Sequence, residues 1–201
     1  MSIDAISVEL GSVAAVRSGH PFRGSVEESA DGGVLAVQMK DVSVEGGVRW
    51  ADAVRTSLSG RKAPDWLKAG DVLFVSKGTR FYAVCIDAPP SPAVCSPHFF
   101  HIQVAPEGPL LPAFLAWQIN QPPFQRQLHQ AAEGSGQLSI RRPVLEALTL
   151  NVPSLAHQHR IVALVELARQ ERVAMHRLIN NRERQLHGLA EDLLQSALES
   201  P

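Results

Sequence analysis

The sequence predicts an α+β protein in which residues 1–153 form a domain with a curled, mainly antiparallel β-sheet and short helices. One long coiled-coil-type α-helix is predicted to follow over residues 154–201. In the first part, short β-rich runs alternate with turns rich in glycine and proline. From Leu155 onward no glycine occurs before Gly188 and no proline before Pro201. A stretch of that length without a helix breaker favours one uninterrupted helix.

The predicted helix carries a heptad pattern, because its apolar residues recur at alternating spacings of four and three. At about 1.5 Å per residue it makes a rod of about 65 Å, and most of such a rod needs a partner helix. An ordinary amphipathic helix lying across its own domain is the alternative. The predicted dimer and subunit interface consists of Ile161, Val165, Ala168, Arg172, Met175, Ile179, Arg182, Leu186, Leu189 and Leu193.

The first half of the predicted domain contains short strands joined by turns. Residues 6–17 are apolar enough for a short strand or a helical turn at the edge of a core. Residues 34–39 predict a buried strand, and Gly46-Gly47 predicts a hairpin turn. Val72-Leu73-Phe74-Val75 is the clearest strand, because it is a continuous run of residues with strong β preference.

The second half continues with strands and then changes to helices. Residues 81–87 and 93–104 predict two more strands, with prolines between and within them. Helices are expected over residues 113–120 and 123–132, since a proline opens each of them. Residues 145–152 predict the last strand, and the serine that follows is a plausible N-cap for the long helix.

Composition excludes several classes of protein. Hydrophobic residues make up 45% of the chain, charged residues 19%, and the formal net charge is −1. These values are not those of a disordered chain, and no apolar run is long enough to span a bilayer. The N-terminus lacks the features of a signal peptide, and the only cysteines are Cys85 and Cys95. We therefore expect a cytoplasmic protein with reduced thiols and no membrane association.

Several motifs occur together in one order along the chain. A Gly-Asp-Val-Leu-Phe run, a Gly-Thr step and a Gly-Ser-Gly-Gln-Leu-Ser-Ile run precede a Val-Pro-Ser-Leu step, a glutamine and the unbroken helix. In this combination the chain resembles the specificity subunit of type I restriction–modification systems over nearly its whole length. The segments that carry the resemblance are Gly70–Phe74, Gly78–Thr79, Gly134–Ile140, Leu148–Leu155 and Gln158–Val162.

The resemblance implies a non-catalytic subunit. Its target recognition domain reads double-stranded DNA, and its helix joins other subunits. Full-length members have two such units, whereas this chain has one, which implies a half subunit. A homodimer formed through the helices is then expected to read a palindromic, bipartite DNA site. The expected partners are an adenine-N6 methyltransferase subunit, which binds S-adenosylmethionine, and in some systems a nuclease or translocase subunit.

The candidate DNA-reading residues are polar or basic residues in loops that can reach a groove or the phosphates. Basic residues also outnumber acidic ones between Arg49 and Arg80. Each candidate has the alternative of being a solvated surface side chain, and Gln137 has the further alternative of holding its own turn. The set consists of Lys77, Arg80, Tyr82, Arg61, Lys62, Gln38, Lys40, Ser135, Gln137, Arg141 and Arg142.

Other chemistry is weakly supported by the sequence. The run from Asn120 to Phe124 is superficially similar to an amino-methyltransferase motif, but Gln121 interrupts it and no glycine-rich loop for S-adenosylmethionine lies upstream. Zinc binding is an alternative for four residues, but their spacing is not that of a regular finger. We therefore expect no metal site. The four residues are Cys85, Cys95, His98 and His101.

Two other classes of function remain as alternatives. The first is a stand-alone DNA-binding regulator or antirestriction decoy, and its test is sequence-specific DNA binding by the protein alone. The second is a coiled-coil adaptor with no DNA role. Such an adaptor would lose no function when its basic loop residues are replaced by alanine.

Overall fold

The computed structural model describes residues 4–22, 24–29, 33–58, 63–134 and 136–198, with side chains as far as Leu194. The chain is α+β, with mainly antiparallel sheets, short helices and one long C-terminal helix, as predicted. It divides into two compact units, one ending at Val162 and the other beginning at Ala163.

Eleven strands lie in the described residues, and all of them belong to the first unit. They are β1 (Ala5–Glu9), β2 (Ala14–Ser18), β3 (Val34–Val37), β4 (Val42–Ser43), β5 (Gly47–Val48), β6 (Val54–Thr56), β7 (Val72–Val75), β8 (Ala83–Cys85), β9 (Ala93–Cys95), β10 (Phe99–Val104) and β11 (Thr149–Pro153). The helices are α1 (Leu10–Val13), α2 (Pro112–Ile119), α3 (Pro122–Ala131), α4 (Arg142–Glu146) and α5 (Leu155–Leu198), with a 3₁₀ turn at Met39–Asp41.

The strands form four small, mainly antiparallel sheets. An antiparallel sheet has the order β2-β10-β7-β8, and a second sheet has the order β6-β3-β9. In the second sheet β9 runs parallel to β3. The proline-rich connection between β8 and β9 explains the separation, because prolines lack the N–H that a neighbouring strand needs. The chain therefore leaves the first sheet after β8 and joins the second.

Strand β7 lies between two hydrophobic cores, which explains its uninterrupted apolar sequence. Val72 and Phe74 pack in one core with α2 and α3. Leu73 and Val75 face the opposite side and pack in the other core with β3 and β9. All four side chains are fully buried. Because β7 is buried on both faces, it holds the start of the following loop in a defined position.

The predicted strand over residues 145–152 is partly wrong. Residues 142–146 form the short helix α4, with Pro143 in its first turn, and the strand begins only at Thr149. Proline is well accommodated in a first helical turn because it has no N–H to lose there. Strand β11 then pairs with β1 in antiparallel register, with Val8 opposite Leu150.

The long helix α5 has 44 residues, which gives a length of about 65 Å. The hydroxyl of Ser154 accepts a hydrogen bond from the His157 N–H at 3.4 Å, consistent with the predicted N-cap. Ile161 and Val162 pack against the core of the first unit. No helix in the described part of the chain is both long and apolar enough to cross a membrane.

Candidate nucleic-acid interface

The ends of four strands meet at one edge of the first unit. Strands β3 and β9 are parallel and pair Val37 with Cys95, so the loops that follow them are neighbours. Val75 at the end of β7 pairs with Phe99 at the start of β10. We call this surface the recognition edge and define it as residues 38–41, 76–82, 96–98 and 136–139.

Backbone hydrogen bonds join the loops of the recognition edge. The N–H and the hydroxyl of Ser76 both donate to the carbonyl of His98, each at 2.9 Å. The Ser96 N–H donates to the carbonyl of Val37 at 2.9 Å. These bonds hold the turn between β9 and β10 against the ends of β7 and β3.

The glycine–glutamine motif lies beside the Gly78 loop. The Gly78 N–H donates to the carbonyl of Leu138 at 3.0 Å, and the Ile140 N–H donates to the carbonyl of Ser76 at 2.9 Å. Gly134 has a φ of +124°, and a Cβ there would lie 2.4 Å from the Gln137 carbonyl oxygen. A side chain at position 134 is therefore incompatible with this turn. The two loops enclose a cleft of about 500 Å³.

A buried carboxylate fixes the turn that carries Gln38 and Lys40. Asp41 is 1% exposed, and its Oδ2 accepts a hydrogen bond from the Gln38 N–H at 2.8 Å. The Arg49 guanidinium donates to the Lys40 carbonyl at 2.6 Å. The turn is thereby held on both sides, while the Lys40 side chain is exposed and that of Gln38 is half-buried.

The recognition edge carries a positive charge. Lys40, Lys77 and Arg80 are exposed there, and its only acidic residue is the buried Asp41. Arg80 also lines a cleft of about 510 Å³ beside the hairpin of β4 and β5. Cations on loops at one edge, with amide side chains between them, are what phosphate and base contacts require. The structure thus brings together Gln38, Lys40, Lys77, Arg80 and Gln137.

Other predicted residues have partners within the protein. Tyr82 is half-buried and its hydroxyl donates to the Val42 carbonyl at 3.0 Å. Burial and the nearby Glu45 raise the pKa of Tyr82. This phenol is therefore less available for DNA than the lysines, although its role stays a prediction.

Two more predicted residues form ion pairs beside the edge. Arg141 pairs with Glu133 at 2.5 Å, and Arg142 pairs with Glu146 at 3.4 Å. Both arginine side chains are more than half exposed, and ion pairs so exposed contribute little to stability. Arg61, Lys62 and Ser135 lie outside the described residues. Gln137 is exposed, and its side chain makes no hydrogen bond within the described part of the chain.

Sequence reasoning did not predict the structural surroundings of three polar residues. His98, considered only as a zinc ligand, is exposed on the anchored turn between β9 and β10. The Asn120 amide exchanges two hydrogen bonds with the backbone of Ala83, at 2.8 and 2.9 Å, and so acts like an extra strand residue beside β8. Gln158 is fully buried at the start of α5. Gln158 was noted only as part of the motif, and its contacts with Leu111 and Pro109, like that of Asn120 with Ala83, join positions remote in sequence that no local signal reveals.

The four candidate zinc ligands have other environments. His101 is buried, and its Nε2 lies 2.6 Å from the Asp71 carboxylate. Burial raises the pKa of Cys85 to about 11 and that of Cys95 to about 12, so both remain thiols. Within the described residues no group of three histidine, cysteine, aspartate or glutamate side chains could hold a metal ion.

The predicted interface on α5 changes character along the helix. Ile161 lies against the core of the first unit, whereas Val165 and Ala168 are half-buried. From position 172 to 194 the large apolar side chains are exposed, and Ile179 is 53% exposed and Leu193 71%. The seam residues exposed in this stretch are Arg172, Met175, Ile179, Arg182, Leu186, Leu189 and Leu193.

Comparison with solved structures identifies similar folds. A chain from work on the complex assembly and conformational transition of the type I restriction–modification system matches with a TM-score of 0.69 at 18% identity, covering 96% of this chain and 45% of that one. The crystal structure of the type I specificity subunit from M. genitalium matches with a TM-score of 0.56 at 14% identity, covering 82% and 39%. The HsdS subunit from Thermoanaerobacter tengcongensis matches with a TM-score of 0.59 at 17% identity, covering 85% and 38%.

These matches establish the fold. The chain has the fold of a type I specificity subunit, with one globular unit followed by one long helix, and spans less than half the length of each solved chain. No protein-family model matches the sequence, and no curated protein matches it.

Proposed function

We propose that this chain is the DNA sequence-specificity subunit of a type I-like restriction–modification system. It has no catalytic role of its own. It reads the target in the cytoplasm and positions an adenine-N6 methyltransferase subunit, which binds S-adenosylmethionine, and in some systems a nuclease or translocase subunit. Two copies joined through α5 read a palindromic, bipartite site.

The observation that carries the proposal is the convergence of three cations at the recognition edge. Lys40, Lys77 and Arg80 are exposed on two loops, and the turn between β9 and β10 connects these loops through its hydrogen bonds to Val37 and Ser76. The formal net charge of the whole chain is −1, whereas within the edge the three exposed cations are accompanied by one acidic residue, the buried Asp41. Cations arranged on one surface neutralise the phosphates of a DNA backbone, and amides between them can reach the bases.

The homodimer is supported by the apolar seam of α5. Met175, Ile179, Leu186 and Leu189 each leave more than half of their side chain exposed. Exposed apolar residues at heptad spacing are typical of a helix that packs against another helix.

The test is the pattern of adenine methylation in cells that express this chain with its methyltransferase. Wild type is expected to give methylation at one sequence motif. In the double variant Lys77→Ala with Arg80→Ala the extent of methylation at that motif should fall about tenfold or more, because each lost phosphate contact weakens DNA binding. Lys68→Ala is the matched control, since Lys68 is exposed but lies at the other end of β7. Methylation that does not depend on this chain would contradict the proposal.

A further inference from the structure

A third cavity is lined partly by the recognition edge. It occupies about 330 Å³ between the turn after β3, the turn after β9 and the segment that follows β2. Phe22, Val26, Met39 and Pro97 give it apolar walls. A pocket of this size and lining suits a single small planar group rather than a length of chain.

Ser96, which lines this pocket, has a buried hydroxyl without a partner among the described residues. Ser96 is 4% exposed, and its Oγ is buried with no hydrogen-bond partner in the described structure. The backbone of Ser96 is fully used, because its N–H bonds to Val37 and its carbonyl accepts from the Phe99 N–H at 3.1 Å. A buried hydroxyl without a partner costs free energy, and a ligand that reaches it recovers that cost.

Gly19 packs closely against the backbone of Ser96. A Cβ at Gly19 would lie 2.0 Å from the Ser96 carbonyl oxygen, so only glycine allows the two backbones to pack this closely. Hydrogen bonds from the Gly19 N–H to Phe99 and from the His20 N–H to Cys95, at 3.0 and 2.7 Å, hold the same segment.

The polar residues at the rim of the pocket are also held in place. Gln38 and Lys40 lie on the turn that Asp41 fixes, and His98 lies on the turn that Ser76 fixes. All three line the pocket together with Ser96. Amide, imidazole and hydroxyl groups can each be matched to the donors and acceptors of a base edge.

We propose that this pocket reads one nucleobase of the bound DNA, with Ser96, Gln38 and His98 as specificity-determining residues. The inference rests on the proposed function and assigns its base-reading site. The apolar walls contact the base, the three polar side chains bind its edge, and Lys40 binds the adjoining phosphate. Lys77 and Arg80 lie outside the pocket and bind phosphates without regard to sequence.

The test is selection of bound sequences from a randomised duplex library by the full chain, together with the methyltransferase that co-purifies with it. Gln38→Ala, Ser96→Ala and His98→Ala are each expected to reduce the preference at one or two adjacent positions by roughly tenfold, and to leave the other positions unchanged. Lys77→Ala is expected to weaken binding to all sequences alike and to reduce its salt dependence.

Ser96→Ala is the sharpest variant, because it removes a hydroxyl that makes no bond within the described structure and should leave the fold intact. Ser91→Ala is its matched control, since the Ser91 hydroxyl is likewise buried without a partner but lies in the connection between β8 and β9. A Ser91 variant that alters the selected sequence as Ser96→Ala does would overturn the assignment.

The failures of the two proposals are distinguishable. If wild type enriches no sequence, the proposed function is contradicted and this inference with it. If wild type enriches a sequence that all three pocket variants reproduce base for base, the pocket assignment alone is overturned. Thermal unfolding of each variant confirms that a changed preference does not come from a damaged fold.

Discussion

The two ends of α5 follow the same heptad pattern but have opposite environments. In the first two turns Gln158 is fully buried and Ile161 and Val162 pack against the core of the globular unit. Beyond position 172 the large apolar residues of the helix are exposed. A heptad pattern therefore indicates that a face will be covered, but the partner that covers it can differ along one helix.

The first prediction tests the contacts that bury the start of α5. The Gln158 side chain accepts a hydrogen bond from the Leu111 N–H at 2.8 Å and donates to the carbonyls of Pro109 and Pro153 at 2.6 and 2.8 Å. Gln158→Ala leaves these buried groups unpaired and should lower the free energy of unfolding by about 3 kcal/mol. Denaturant unfolding measures the change.

His159→Ala is the control for that variant, because the neighbouring His159 is exposed and should change stability by less than about 0.5 kcal/mol. Equal stabilities of the two variants would mean that Gln158 does not fasten the start of α5.

The second prediction tests whether the exposed part of α5 forms the dimer interface. Leu186 is 58% exposed at a seam position, and glutamate there would bring a charge into the proposed helix–helix contact. Leu186→Glu should weaken self-association by about a hundredfold. Sedimentation or light scattering should then change from about twice 21.8 kDa to a single copy.

The globular unit of Leu186→Glu should unfold as wild type does, since the substitution lies in the second unit. Arg177→Ala, on the outer face of the heptad pattern, should leave association intact. If both variants self-associate as wild type does, the seam is not the dimer interface.

The third prediction concerns a polar contact buried in the globular unit. Burial raises the pKa of Asp71, but hydrogen bonds from His101, the Lys68 N–H and Gln103, together with the His101 charge, outweigh it and hold the pKa below 3.8. A lowered folded-state pKa contributes stability that is present above pH 3.8 and is lost as pH falls through the lower folded value.

Asp71→Asn should therefore cost about 2 kcal/mol near neutral pH, and this difference from wild type should shrink below pH 3.8. Denaturant unfolding at a series of pH values measures it. A difference that is constant from pH 7 to pH 2 would rule out the carboxylate as its source.

The fourth prediction concerns Glu166, an exposed carboxylate on α5 whose pKa is also lowered by hydrogen bonds. Hydrogen bonds from Arg169 and Gln170 lower the pKa of Glu166 to about 2, so its contribution is present above pH 4.5 and is lost as pH approaches 2. Because the side chains of Glu166 and Arg169 are both more than 40% exposed, Glu166→Gln should lower the free energy of unfolding by only a few tenths of a kcal/mol. Circular dichroism of thermal unfolding checks this against Glu171→Gln, and a loss as large as that of Asp71→Asn would contradict it.

The elements with local causes could be predicted from the sequence. Helix α5 follows from its heptads and its lack of breakers, and β7 follows from its continuous apolar run. The predicted strand began too early, at residue 145, because a short run does not distinguish strand from helix and residues 145–146 belong to α4. The division into four sheets was not predictable, because the parallel pairing of β3 with β9 joins segments far apart in the chain.

The candidate site shows the same division. Lys77 and Arg80 were predicted from their loop and charge, and the structure places them with Gln38, Lys40 and Gln137. The ion pairs of Arg141 and Arg142 were not predicted, since surface pairing depends on the final fold. Nor could the pocket around Ser96 have been found, because its walls come from three segments that only the fold brings together.

The most direct test of the central claim is purification of the tagged protein from its native host. Co-purifying chains are identified by mass spectrometry, and light scattering gives the mass of the complex. The proposed function predicts an adenine methyltransferase in a complex that contains two copies of this chain. A single 21.8 kDa chain with no methyltransferase would contradict it.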